Sequence, residues 1–481
     1  MSLTRASQPL TFGEALLPVI TMAVMFGVGA ATIGFGGDLL VVTLLLCAGV
    51  AGFIAVRHGR TWDDIQVSAG EKFKGVLPVV LILLAVGALI AAWVMSATIP
   101  YMVYWGVKLV SPQYLVLTAF LATSIMSLFT GTSWGSAGTI GVALMGTAAA
   151  IDAPLAATAG AVISGAYLGD KMSPLSDSTN ICAIGAGADL YKHIRHMMYT
   201  TTPSFVMCII LYTFASRIAP TGGAGSAGAA RVLLDDLDRV FTLNWIALIP
   251  AVLVVWGIVK RVPPALAISL SAIVAAIIGI VVQGFTVPDA ITSLVSGFKL
   301  SMVTASGTDA SALSDGFRIL VERGGLYSMA TTLVIVISAF LLAAGMDVSG
   351  ALDLLVSRML ASVRSVFGLV AATMAAGGTM IAMTSHGGVT GLVIGGMFQK
   401  AYRERGLAPE NLSRTLEDSV TITEPLMPWT VSAVYMATTV GVPTLDYLPW
   451  APFCYGGPIF SLTLAALYSR TKFGLLPLDK R

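Results

Sequence analysis

The sequence predicts an all-α polytopic membrane protein built from two inverted-topology repeats, each with broken or re-entrant helical hairpins. Composition is the first reason: 56% of the 481 residues are apolar, 11% are charged, and the mean hydropathy is +0.87. A soluble domain carries about 25% charged residues, so this chain cannot cover itself with polar surface. Second, uncharged runs recur at 15–37, 75–107, 109–151, 197–216, 326–346 and 447–469. Each matches the roughly 20 residues that cross a hydrocarbon core ~30 Å thick, and several suffice for two passes, so roughly 10–13 crossing or re-entrant segments are expected. Third, the chain is written twice.

The run that opens at Ala15 and closes at Gly37 is too long for a cleaved signal and reads as the first membrane helix. Net charge is +2, and the charges fall in short clusters between apolar runs, which argues against nucleic acid as a partner. The four cysteines, Cys47, Cys182, Cys208 and Cys454, have neither metal-site nor disulfide-framework spacing and read as small apolar filler.

The repeat appears in three places. Thr132-Ser133-Trp134-Gly135 returns 252 residues later as Thr384-Ser385-His386-Gly387. Ser173-Pro174-Leu175 returns at an offset of 251 as Glu424-Pro425-Leu426. Upstream the offset falls to 225, where Gly59 pairs with Gly284, so the second copy carries 27 additional residues. The division expected is a first repeat over 1–216, a polar linker over 217–242 and a second repeat over 243–481. A polar insertion at about 300–326 (Ser306, Gly307, Thr308, Asp309, Ser314, Asp315) would form a loop or lid.

Lys and Arg set the orientation of each copy, since they are enriched in cytoplasmic loops. In the first copy the turn at Gly34–Asp38 has none and the next turn has Arg57 and Arg60. In the second copy Lys260 and Arg261 follow the first helix and the following turn has none. The same inversion separates 151–154 from its counterpart with Lys400, Arg403, Arg405 and Arg414. Both termini are thereby placed in the cytoplasm. Arg217, Arg318 and Arg323 run against the bias. Inverted repeats let two halves exchange conformations around one central site, so the pattern implies a secondary transporter.

The chemistry falls where apolar helices ought to continue and do not. Gly131-Thr132-Ser133-Trp134-Gly135 interrupts the uncharged run 109–151, and Thr384-Ser385 with the glycines after it interrupts its counterpart. Irregular backbone at membrane depth survives only when buried in protein or lining a wet cavity, and its free carbonyls and hydroxyls suit a hard cation. The second motif packs Asp170, Lys171, Ser173, Ser176, Asp177, Ser178, Thr179 and Asn180 around Pro174, a residue that cannot continue a helix. Its counterpart holds Glu417, Asp418, Ser419, Thr423, Glu424 and Pro425. An ion at the bilayer centre costs at least ~2.5 kcal/mol, so such acids imply function.

The expected ion- or substrate-binding residues are therefore Thr132, Ser133, Ser173, Ser176, Asp177, Ser178, Thr179, Asn180, Thr384, Ser385, Thr423 and Glu424. Asp170, Asp177, Glu424, Asp418 and His386 are the candidates for proton coupling. Na+ itself is expected on Ser133, Asp177, Thr179 and Ser385. The ordinary readings compete with these. Asp170 and Lys171 could form a structural ion pair, Arg414 could salt-bridge Glu417 and Asp418, and a lone His386 could simply be hydrogen-bonded in the core.

The run GDKMSPLSDSTN, with GTSWGSAGTIGVALMG before it and ADLYKHIRHMMYTTTP after it, resembles the NhaC-type Na+/H+ antiporter family. LEDSVTITEPLMPWT and GVPTLDYLPWAPF are similar to that family's second-half pattern. Where family members commonly carry Thr, this chain has Ser178, which keeps the hydroxyl. The resemblance covers nearly the whole chain. It implies a multi-pass transporter of the bacterial inner membrane, exchanging cytoplasmic Na+ for external H+ through alternating access, and no enzyme. No cofactor is expected beyond the transported Na+ and H+. The bilayer is the expected partner, with a homodimer as a further expectation.

Two other readings stay open. The resemblance extends to exchangers of organic anions such as malate and lactate, so a Na+- or H+-coupled carrier of a small organic anion or amino acid is the alternative. Gly131-Thr132-Ser133-Trp134-Gly135 also fits the serine-hydrolase pattern G-x-S-x-G, a remote alternative because that elbow needs a strand before the turn.

Overall fold

The structure is a computed structural model that describes residues 9–34, 36–109, 111–218, 224–305, 312–385 and 387–478. His386 and the insertion residues Ser306, Gly307, Thr308 and Asp309 lie outside the described residues. Among the described residues the chain is helical with no strand; an isolated bridge joins Leu407 and Pro477. This is the all-α membrane architecture that composition predicts.

The first half opens with α1 (Phe12–Thr32), α2 (Gly37–Arg57) and α3 (Trp62–Met95), then bends by 68° into α4 (Thr98–Leu109). It continues with α5 (Leu115–Thr130), the short α6 (Ser133–Ser136), a π turn over Ala137–Gly141 and α7 (Val142–Ala150). It ends with α8 (Leu155–Met172), α9 (Asp177–Ala186) and the long α10 (Leu190–Ile218).

A helix, α11 (Ala224–Val240), occupies most of the stretch read as a polar linker. It buries Leu233 and Leu237, and its buried Asp236 accepts from both the amide (3.0 Å) and the hydroxyl (2.6 Å) of Ser314.

The second half begins with α12 (Ile249–Val259), α13 (Pro264–Val281) and α14 (Val287–Ser296). The inserted segment contributes α15 (Leu300–Ala305) and α16 (Asp315–Val321), and α17 (Ala330–Val348) and α18 (Ala351–Ala361) follow. Capping boxes mark the correspondence with the first half. Thr61 and Asp64 close the N-terminus of α3, and Thr286 and Asp289 close that of α14 in the same way. The positive-φ glycines before them, Gly59 and Gly284, make the equivalent turns. The 34-residue helix α3 thus has its second-half counterpart in two pieces, α14 and α17, with the insertion between them.

The chain then runs through α19 (Val366–Thr384), α20 (Gly387–Glu404), α21 (Pro409–Leu416) and a second π turn over Glu417–Thr421. It closes with α22 (Val431–Val440), α23 (Thr444–Tyr447) and α24 (Pro452–Thr471). Among the described residues six helices are long and apolar enough to cross a membrane, or up to nine counting three bent pairs. The ten to thirteen segments expected include re-entrant pieces, which are shorter than a span. The motif-bearing segments are cut into pieces, such as Leu115–Thr130 and Val431–Val440, that are too short to count as spans.

Small residues bring the central helices together. A Cβ on Gly165 would lie 2.4 Å from the Phe120 carbonyl oxygen, and one on Gly169 would lie 2.4 Å from the Leu128 nitrogen, so α8 sits backbone to backbone on α5. The halves also interlock: α9 packs on α20, where Gly185 faces Gly391 and Gly395, and α22 packs on the first π turn. At that second contact the Tyr435 ring stacks on Trp134 at 4.3 Å, and its hydroxyl donates to the Trp134 carbonyl at 2.8 Å. Each half lends its last broken helix to the other.

Candidate functional site

In the first half α5 stops because Gly131 adopts φ 68°, a left-handed cap that favours glycine. Thr132 then caps α6, its hydroxyl accepting from the Gly135 amide at 3.2 Å. Nearby, α8 stops at Ser173, which is extended before Pro174, and Ser176 caps α9 by accepting from the Thr179 amide at 3.4 Å. The two breaks touch: a Cβ on Gly131 would meet the Leu175 backbone at 2.8 Å.

Asp170, buried in the last turn of α8, sits where these breaks converge. The hydroxyls of Ser176 and Ser133 and the Ser133 amide face its carboxylate. The amides that open a helix carry a partial positive charge, so an anion is held there without a neighbouring cation.

The second half repeats the device with other residues. Glu424, buried in the break before α22, faces the amides of Gly387 and Ser432 and the Ser432 hydroxyl. A Cβ on Gly387 would stand 2.7 Å from the Glu424 Oε2, so glycine is what lets the acid reach the start of α20. Each acid therefore lies between the openings of two broken helices. Tyr167, one turn before Asp170, is within electrostatic reach of both.

The other predicted residues are placed less uniformly. Asp177 is exposed in the first turn of α9, so the buried acid of this motif is Asp170. The Ser178 hydroxyl pairs with that of Ser176 at 2.9 Å. Thr179 donates back to the carbonyls of Asp170 (3.3 Å) and Lys171 (3.1 Å), and Asn180 to those of Pro174 (3.1 Å) and Ser176 (2.7 Å). The Ser173 hydroxyl accepts from the Leu175 amide at 3.3 Å. These residues hold the break together.

Thr423 donates to its own helix at Ser419, 2.6 Å away, and Thr384 pairs with Thr390 at 3.0 Å. Ser385 is not the structural twin of Ser133. It closes α19 with φ 57°, and its hydroxyl donates to the Trp429 carbonyl at 3.4 Å, whereas Ser133 opens α6. Ser133 and Thr179 thus meet at Asp170, one facing its carboxylate and the other bonding its main-chain carbonyl, whereas Ser385 bonds the Trp429 carbonyl.

Beside Asp170 lies a second buried cluster joining the halves. Lys171 donates to Asp418 at 2.5 Å and to Thr200 at 3.3 Å, and Thr200 donates to Asp418 at 3.1 Å. Arg414 lies a turn before Asp418, its Nη1 donating to the Gly474 carbonyl at 2.6 Å. The Lys171 cation is therefore matched with Asp418, across the halves, and not with its neighbour Asp170. Sequence reasoning missed Ser432 and Thr200; Thr200 stands in the run Thr200-Thr201-Thr202, where nothing in the pattern singles it out.

No strand precedes Ser133 among the described residues, and its hydroxyl is engaged with Asp170; the hydrolase elbow is absent. The model of the Na+/H+ antiporter family matches residues 9–179 and 165–467. An uncharacterized Na+/H+ antiporter of Haemophilus influenzae is 42% identical over 476 residues, 99% of each chain. The Na+/H+ antiporter NhaC of Alkalihalophilus pseudofirmus is 35% identical over 89% of each chain. A malate-2H+/Na+-lactate antiporter of Bacillus subtilis is 31% identical over 88% of this chain and 87% of its own. This multi-pass chain belongs to the Na+/H+ antiporter family.

Proposed function

We propose that the protein is a secondary active transporter that exchanges cytoplasmic Na+ for external H+ across a bacterial inner membrane, with both termini in the cytoplasm. The observation that carries this reading is the matched pair of buried acids. Asp170 and Glu424 each lie at the start of broken helices, among hydroxyls that can turn a lone pair toward a cation. Na+ favours the charged carboxylate and a proton occupies the same oxygens, so binding one expels the other. A site loaded either way is neutral and can be carried across; an empty, charged one resists the apolar path. Asp177, exposed beside the break, serves in this reading as an entry group and not as the central acid.

The test is transport by the reconstituted full-length protein with an imposed ΔpH and controlled Na+. Asp170→Asn and Glu424→Gln, each correctly inserted, should each abolish Na+-driven proton movement. Exchange at the wild-type rate in either variant would refute the shared role.

The malate-lactate relative supports a second reading, in which a small organic anion travels with the ions. Proton movement that depends on an added carboxylate would favour it; movement driven by Na+ alone would exclude it.

A further inference from the structure

Glu417 is the buried acid that this scheme leaves unused. It opens the second π turn and is fully buried. Neither carboxylate oxygen has a hydrogen-bond partner; the Thr421 hydroxyl faces it from one turn on without reaching bonding geometry. The surrounding groups explain why it is left over. Lys171 and Asp170 face it from α8, but Lys171 is committed to Asp418 and Thr200. On its own element Asp418 follows it; Arg414, on α21 before it, places Nη1 on the Gly474 carbonyl and Nε 4.0 Å from Asp418, with Nη2 left without a hydrogen-bond partner. Cys182 faces it from α9, His193 of α10 faces Lys171 and Arg414, and Cys454 of α24 faces Lys171. On α20, Tyr402 lies near Arg414, and α19, packed directly on the turn, brings no titratable side chain.

A charged carboxylate with no hydrogen bond would cost several kcal/mol at this depth. A π turn is a rare interruption of a helix that is frequently found at functional sites. Its retention around an acid without a structural partner argues that the acid is kept for what it exchanges.

We infer that Glu417 is a second proton-carrying carboxylate of the transport cycle, separate from the acids that contend with Na+. In the conformation described here it holds its proton. It releases that proton to water only in a conformation where rearrangement of the cluster brings Lys171 or solvent to its oxygens, and it is reloaded from the opposite side. This assignment rests on Na+/H+ exchange as the activity. It adds a proton to each cycle without adding a cation site.

The experiment compares wild-type protein with Glu417→Gln in proteoliposomes, recording radiolabelled Na+ flux and proton flux on the same preparation. Glutamine copies the neutral acid but cannot release a proton. The expected result is continued Na+ flux with the proton-to-sodium ratio lower by one whole proton, and recovery of the ratio in Glu417→Asp. An unchanged ratio in Glu417→Gln overturns the inference, as does loss of both fluxes together in folded protein. Should the amide variant misfold, Glu417→Met, apolar and similar in volume, is judged by the same outcomes. Failure of the exchange reading itself is distinguishable, because wild-type protein would then move no protons in response to Na+.

Discussion

Lys171 and Asp418 meet at 2.5 Å with both side chains buried, one from α8 in the first half and the other from the π turn of the second. Thr200 closes the triangle from α10. Removing one member of a buried pair leaves an uncompensated charge and costs about 3–5 kcal/mol, while replacing both with apolar groups is often close to neutral. Lys171→Met should therefore destabilise the detergent-solubilised protein strongly, and Lys171→Met with Asp418→Leu should recover part of the loss. Denaturant midpoints decide it; a single variant at the wild-type midpoint would remove the pair from the list of stabilising contacts.

Where Gly185 meets Gly391 and Gly395, the contact between α9 and α20 leaves no room for a side chain. A Cβ on Gly395 would lie 2.5 Å from the Gly185 carbonyl carbon, and one on Gly185 would lie 2.6 Å from the Gly391 oxygen. Both obstacles are backbone, so neither can turn aside. Gly395→Val should force the helices apart at a cost of about 1–3 kcal/mol. Gly396→Ala, one residue on and facing open space, is the control. Equal thermal stability of the two variants would contradict the packing.

Gly387 places Glu424 at the start of α20. Alanine there puts a methyl 2.7 Å from the carboxylate oxygen, which must move away from the amide that holds it. The expected outcome is about a tenfold rise in the Na+ concentration giving half-maximal exchange, equivalent to ~1.4 kcal/mol. Gly378→Ala, with nothing near its added methyl, should leave it unchanged. Identical Na+ dependence in Gly387→Ala would mean that this amide contact is not used.

Asp64, in the exposed first turn of α3, accepts from the Thr61 amide at 2.7 Å while its own amide donates to the Thr61 hydroxyl, and its place beside Thr61 lowers its pKa from the ordinary carboxylate value. Its folded-state pKa is thus below the unfolded one. The contribution to the cap is full above the ordinary carboxylate range and is lost as pH falls through the lowered value. Amide exchange in the first turn of α3 should quicken in acid, and Asp64→Asn should remove that acid-dependent change. Parallel pH profiles in the two proteins would count against the cap.

The breaks themselves were legible, because glycine, hydroxyls and proline interrupt runs that would otherwise be continuous helix. The repeated capping boxes at Thr61–Asp64 and Thr286–Asp289 lie at the 225-residue offset that Gly59 and Gly284 suggest. Which acid is buried was not legible. Asp170 and Asp177 sit seven residues apart in one motif, and α8 is buried on nearly every side, so it shows no polar stripe to locate Asp170. The motif match of Ser133 with Ser385 also misled. The chain breaks before one and at the other, so equal letters take unequal places. The π turns are equally silent in sequence, yet each inserts a residue and re-aims every side chain after it.

The donors on Asp170 are of two kinds. The Ser133 amide can only give a hydrogen, whereas the hydroxyls of Ser133 and Ser176 can give one or, by rotating, offer a lone pair. The amide is a fixed tether and the hydroxyls are rotors. In the exchange proposed above, a cation could replace a proton without the acid travelling, because two small rotations would reverse the polarity of its surroundings while the anchor holds. On that proposal, selection between cargoes would lie in hydroxyl orientation, a change of about one bond torsion each, and any larger movement would serve transport alone.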